Sequence, residues 1–133
     1  MSNYRRGITS LLSLTLIILA SIFFESAPTV AASDLVVSTI GPSGITADSV
    51  TLIGLLNDLG SNTQVNVSFE YGKTIGYGNV TPSLNQTSEG LFSIPVSSLE
   101  SSTTYHYRAK AVGTTTSYSP DATTTPTGPV GRH

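Results

Sequence analysis

Few side chains in this 133-residue chain could do chemistry: it has no cysteine and two histidines, one of them the terminal His133. Without cysteine there is no thiolate nucleophile, no Cys-ligated metal and no disulfide framework. Catalysis would need His106 with a carboxylate, two paired carboxylates, or a metal. His106 shares the polar positions of an alternating run with Arg108 and Lys110. A solvated strand face of that kind seldom shifts a pKa as a general base requires, so no enzyme activity and no catalytic residue is expected. Asp48, Asp58 and Asp121 stand singly in turn-like stretches. There a short carboxylate commonly caps its own backbone, so neither a metal site nor a cofactor is expected. Tyr77 and Tyr118 are the aromatic residues least needed for packing and so the candidates for stacking on a sugar. With no tryptophan, such a platform lacks its strongest component. The net charge of −2, with only 6 Lys and Arg, leaves no basic surface for a phosphate backbone, and nucleic acid is excluded as a partner.

The elements that must position these residues follow a leader. Tyr4-Arg5-Arg6, the uncharged apolar run Leu11 to Phe24 and the small residues Val30-Ala31-Ala32 form the charged, greasy and small-residue parts of a secretory signal peptide. Residues 1–32 are read as that signal, cleaved after Ala32. The chain is then secreted or sits on the extracellular face of the cell envelope. If the segment stays uncleaved, it is the chain's only link to a membrane. Beyond it the hydrophobic period is two. Seven strand-like runs are separated by turn residues: 35–40, 49–56, 64–71, 79–81, 91–96, 104–112 and 117–125. Val65, Val67, Phe69 and Tyr71 alternate with Gln64, Asn66, Ser68 and Glu70, the pattern of a half-buried strand. Pro120 should confine the last run to a sheet edge. Seven short strands in about 100 residues point to an all-β, seven-stranded antiparallel sandwich of the immunoglobulin-like kind over residues 33–125. Residues 126–133 read as a Pro/Thr/Gly-rich tail.

Leu99, Thr103 and Tyr105, just ahead of the sixth run, suit a tyrosine corner, in which the ring folds back so that its hydroxyl meets an upstream backbone group. This stretch resembles the L-x-P-x-T-x-Y signature of fibronectin type III domains, with Ser101 in the proline's place. Phe69-Glu70-Tyr71-Gly72-Lys73-Thr74 with Tyr77-Gly78 resembles the FEYG-x-T…YG segment of type III-like repeats in bacterial exported and surface proteins. The second run, around Leu52 to Gly54, lacks the family's usual core tryptophan. The resemblance implies that the sixth run lies beside the third, pairing Glu70 with the cations of 106–110. It further implies a non-enzymatic extracellular module, expected as a monomer, that spaces or binds. Its partner would be an extracellular protein or polysaccharide. Recognition would sit on the loops 57–62, 72–78 and 113–117, because loops on a rigid sandwich carry most binding. Asn57, Asn62 and Lys73 join Tyr77 and Tyr118 as candidate ligand contacts. The alternative is a small carbohydrate-binding accessory module that stacks sugars on the two tyrosines.

Overall fold

A computed structural model describes residues 33–128; the leader, and the last residues of the tail, lie outside the described residues. Among the described residues nine strand segments run in order: β1 (Leu35–Ser43), β2 (Val50–Leu59), β3 (Val65–Gly72), β4 (Asn79–Val80), β5 (Leu84–Gln86), β6 (Gly90–Val96), β7 (Tyr105–Val112), β8 (Thr116–Tyr118) and β9 (Ala122–Thr124). They form two antiparallel sheets. One is ordered β1-β2-β6; in the other β3 and β7 are central, with β4 and β5 along one edge and β8 and β9 along the other. The seven sequence runs are thus seven lanes of a sandwich, two of which are interrupted.

Both interruptions have one cause. Thr81 N–H donates to Phe69 O (2.9 Å), while Phe69 N–H donates to the Thr81 hydroxyl (3.0 Å), which in turn donates to Pro82 O (3.1 Å). On the opposite edge Ser119 N–H donates to Ala109 O (3.0 Å), Ala109 N–H to the Ser119 hydroxyl (2.8 Å), and that hydroxyl to Pro120 O (3.0 Å). Phe69 and Ala109 are cross-strand partners. One row across the sheet therefore ends in a buried hydroxyl on each side. Each hydroxyl satisfies an N–H that the following proline has thrown out of register.

The inward residues alternate as the period of two requires. Val50, Leu52 and Leu56 of β2, Val65, Val67 and Phe69 of β3, and Phe92, Ile94 and Val96 of β6 are all buried. Large rings lie opposite small residues. Phe69 pairs with Ala109, and Phe92 faces Gly54, where an added Cβ would come within 2.3 Å of the Phe92 ring. Phe69 and Phe92 stand 5.3 Å apart, and Tyr107 approaches Phe69 edge-on at 6.2 Å. Phe92, lying on a bare glycine of the neighbouring strand, thus provides the aromatic bulk for which β2 has no tryptophan. Each of these side chains contributes roughly 1.5–3 kcal/mol when fully buried.

Several elements differ from their sequence boundaries. β1 continues past Ile40 to Ser43, because a register shift between Ile40 and Ser43 carries Gly41-Pro42 and lets Ser43 pair with Thr51. β2 continues through Asn57 to Leu59, because Asn57 bulges out of β2 opposite the Val36–Val37 step of β1 and pairing resumes at Asp58. Leu84–Gln86 forms a short strand on β3. Packing also runs past Thr125: Pro126 is fully buried, and its carbonyl accepts from Ser102 N–H at 2.8 Å. At the corner, Leu99 and Tyr105 are buried, and the Tyr105 hydroxyl accepts a hydrogen bond from Glu100 N–H at 2.9 Å. Thr103 bonds locally, its hydroxyl donating to Ser101 O at 3.1 Å.

Candidate functional site

The charged residues of β3 and β7 meet on the outer face of the larger sheet. Glu70 lies directly across from Arg108. Its carboxylate accepts from Arg108 Nε (2.8 Å) and Nη2 (2.7 Å) and lies 3.6 Å from Lys110 Nζ. His106 does not share Glu70. Its Nδ1 is 2.8 Å from Asp121 Oδ2, and Asp121 Oδ1 accepts from the Tyr77 hydroxyl at 2.9 Å. Asp121, read from sequence as an isolated turn residue, is therefore the bridge between β7 and the β3–β4 loop. Partial burial works to raise the Asp121 carboxyl. The hydrogen bonds from His106 and Tyr77, with the charges of His106 and Arg108, outweigh it and hold the carboxyl below its ordinary value. Partial burial and the bond to Asp121 push the Tyr77 hydroxyl up.

Arg108 does a second job. Its guanidinium lies 4.8 Å from the Tyr77 ring centroid and 3.9 Å from that of Tyr118, which also has Lys110 Nζ at 6.0 Å. The two tyrosines named from sequence are thus brought together, but around a cation and not side by side. A guanidinium between two π-faces is held by each quadrupole and leaves no joint platform between them.

Tyr77 reaches this position at a local cost. Its φ of 59° is left-handed, unusual for an aromatic residue. The turn is closed by Tyr77 N–H to Thr74 O (2.9 Å) and Gly76 N–H to the Thr74 hydroxyl (3.2 Å). Gly72 admits it: a Cβ there would come within 1.6 Å of Tyr77 O. The G-K-T-x-G-Y-G spelling of this loop is therefore the condition for placing Tyr77 over Arg108. At the loop's tip Ile75 is 73% exposed, beside Val80 at 59%. The sequence reading singled out neither: Ile75 is a lone apolar residue in a glycine-rich loop and Val80 lies in a run of three residues, both too short to show which way a side chain faces.

The other candidates lie apart from this stack. Lys73 pairs with Glu100 at 2.7 Å, and both are well exposed; that hydrogen bond raises the Lys73 ammonium pKa above its usual value. Asn57 accepts from the Ser38 hydroxyl at 2.8 Å within the β1–β2 bulge. Asn62 Nδ2 donates to Leu59 O (2.8 Å) and its Oδ1 accepts from Thr114 N–H (2.8 Å), tying the 57–62 and 113–117 loops to each other. These two loops flank the far end of β3 from Tyr77, roughly 25 Å away at 3.3 Å per residue. The three loops named from sequence do not form one surface.

No protein-family model matches the chain, and no curated protein matches it. Solved structures do. The sensor domain of the anti-sigma factor RsgI4 of Pseudobacteroides cellulosolvens superposes with a TM-score of 0.60 at 19% identity, over 74% of this chain and 99% of that one. A solution structure of the same sensor domain gives 0.60 at 17%, over 71% and 76%. A human fibronectin type III domain gives 0.52 at 14%, over 73% and 77%. The chain has a fibronectin type III-like, immunoglobulin-like fold.

Proposed function

We propose that this protein is a non-enzymatic module working outside the cytoplasm, as a monomer, and that it recognises a protein partner through the outer face of β3, β7 and β8. One observation carries the reading: Arg108 is stacked between Tyr77 and Tyr118 beside the exposed Ile75 and Val80. The sandwich does not need this cluster for its core. Tyrosine, arginine and a large aliphatic residue on a braced loop match the composition of protein hot spots, where rigid anchors lose little entropy on binding. The secretory leader read from residues 1–32 supports the location. Polysaccharide is the second reading, and Arg108 between the rings weighs against it. A photo-crosslinking residue at Tyr118 should give a discrete protein adduct on producing cells, and one at Ser93 on the opposite sheet should not. Equal labelling at both positions would refute the assignment. Retention on a glycan array that disappears in Tyr118→Ala would favour the sugar reading instead.

A further inference from the structure

Ser33 stands two residues before β1, where the sequence places removal of the leader after Ala32. The backbone here is held in place. Ser33 Oγ donates to Asp58 Oδ1 at 3.2 Å, and the same oxygen accepts from Gly60 N–H at 2.7 Å. Gly60 has a φ of 64°, and a Cβ on it would come within 2.9 Å of Ser33 O and 3.0 Å of Leu35 N. The incoming chain therefore lies directly against this glycine. Beside it a cleft of about 520 Å³ is lined mainly by oxygen-bearing side chains, among them Asp34, Ser61, Asn62 and Thr115, and by no lysine or arginine.

We propose that this corner receives the N-terminus that processing creates, so that the fold is stabilised by loss of its own leader. Hydrolysis of the Ala32–Ser33 bond by a peptidase consumes one water, leaves the carboxylate on Ala32 and gives Ser33 a protonated amine. An amide N–H with one donor becomes an ammonium with three donors and a full charge. Asp58, already bonded to the Ser33 side chain, supplies the countercharge through Oδ2, which lies outside both of its Oδ1 bonds. Asp34, which lines the cleft, is the other carboxylate beside Ser33. A carboxylate partner raises the ammonium's pKa. Its contribution is therefore fully present below the ordinary α-amino value of about 7.7–8.0 and is lost as pH rises through the folded value.

The chain beginning at Ser33 is prepared with a free and with an acetylated α-amine, and thermal midpoints are followed from about pH 6 to about pH 10, bracketing that titration. Below about pH 7 the free-amine form should melt on the order of 1–4 °C higher, the shift expected of an exposed ion pair in a domain of this size. The gap should close at alkaline pH. Asp58→Asn, which keeps an acceptor for Ser33 Oγ and Gly60 N–H, should abolish it. Equal midpoints across the range overturn the proposal. So does a gap that survives Asp58→Asn and disappears in Asp34→Asn, or an exported protein whose N-terminus by mass spectrometry is not Ser33.

Discussion

Replacing Gly72 with alanine tests the clamp that positions Tyr77. The added methyl would lie 1.6 Å from Tyr77 O and 2.5 Å from Tyr77 C, both backbone atoms, so no rotamer change relieves the overlap. The 73–78 loop must move off β3. Two hydrogen bonds go with it, Tyr77 N–H to Thr74 O and the Tyr77 hydroxyl to Asp121, both 2.9 Å, as does the Arg108 contact at 4.8 Å. Each hydrogen bond is worth about 1 kcal/mol net and an exposed cation–π contact about 0.5–1 kcal/mol, while release from the left-handed conformation returns on the order of 1 kcal/mol. The balance is a loss of about 2 kcal/mol, or about 8–16 °C in the midpoint of a domain this size. Urea unfolding followed by circular dichroism measures it. Gly41→Ala is the control: nothing lies within 4 Å of its Cβ position, so it should stay within about 0.5 kcal/mol of the parent. If Gly72→Ala matches that control with an unchanged m-value, the loop is not clamped and the account of Tyr77 fails.

Tyr105→Phe removes the acceptor of Glu100 N–H and should cost about 0.5–1.5 kcal/mol; an unchanged denaturant midpoint would show that the corner contributes nothing. Gly54→Ala drives a methyl into the Phe92 ring at 2.3 Å and should cost about 1–3 kcal/mol by overpacking, read from the same unfolding curve. Parental stability there would mean that Phe92 is free to turn away. Asp121, whose folded pKa is depressed, contributes stability that is present above the unfolded carboxylate value of about 3.9 and is lost as pH falls through the folded value. Asp121→Asn should therefore flatten the acid limb of the stability profile, and an identical limb in both proteins would refute the bridge.

The sandwich was legible because β3 and β7 alternate without exception from Val65 to Tyr71 and from Tyr105 to Ala111. That Glu70 faces the cations of 106–110 came from the resemblance; which of them it pairs with, Arg108 and not His106, did not. The features that escaped have physical reasons. Leu84–Gln86 is too short to show a period. Asn57-Asp58 spells a turn yet lies within β2, since Asn57 is the extra residue of a bulge and only the pairing of Val36 with Asp58 reveals that the strand continues. Gly54 looked like a missing ring because its filler, Phe92, comes from β6, about forty residues on, and side-chain volume opposite a glycine cannot be read along one strand. Tyr77 and Tyr118 stand out in the sequence only as aromatic residues that the core does not need. That Arg108 stands between them depends on a positive φ, a close backbone approach and a loop 30 residues from β7, none of which has a local signature.

The hydroxyls of Thr81 and Ser119 also govern how copies of this molecule can meet. Sideways growth of a sheet needs a straight, uncommitted row of amides and carbonyls, and here each flank is kinked by Pro82 or Pro120 with its hydroxyl already turned inward. A second chain sliding up to either flank meets a row that is broken at Thr81 or at Ser119. At high concentration, contact with that sheet is steered away from its margins and onto its broad exterior.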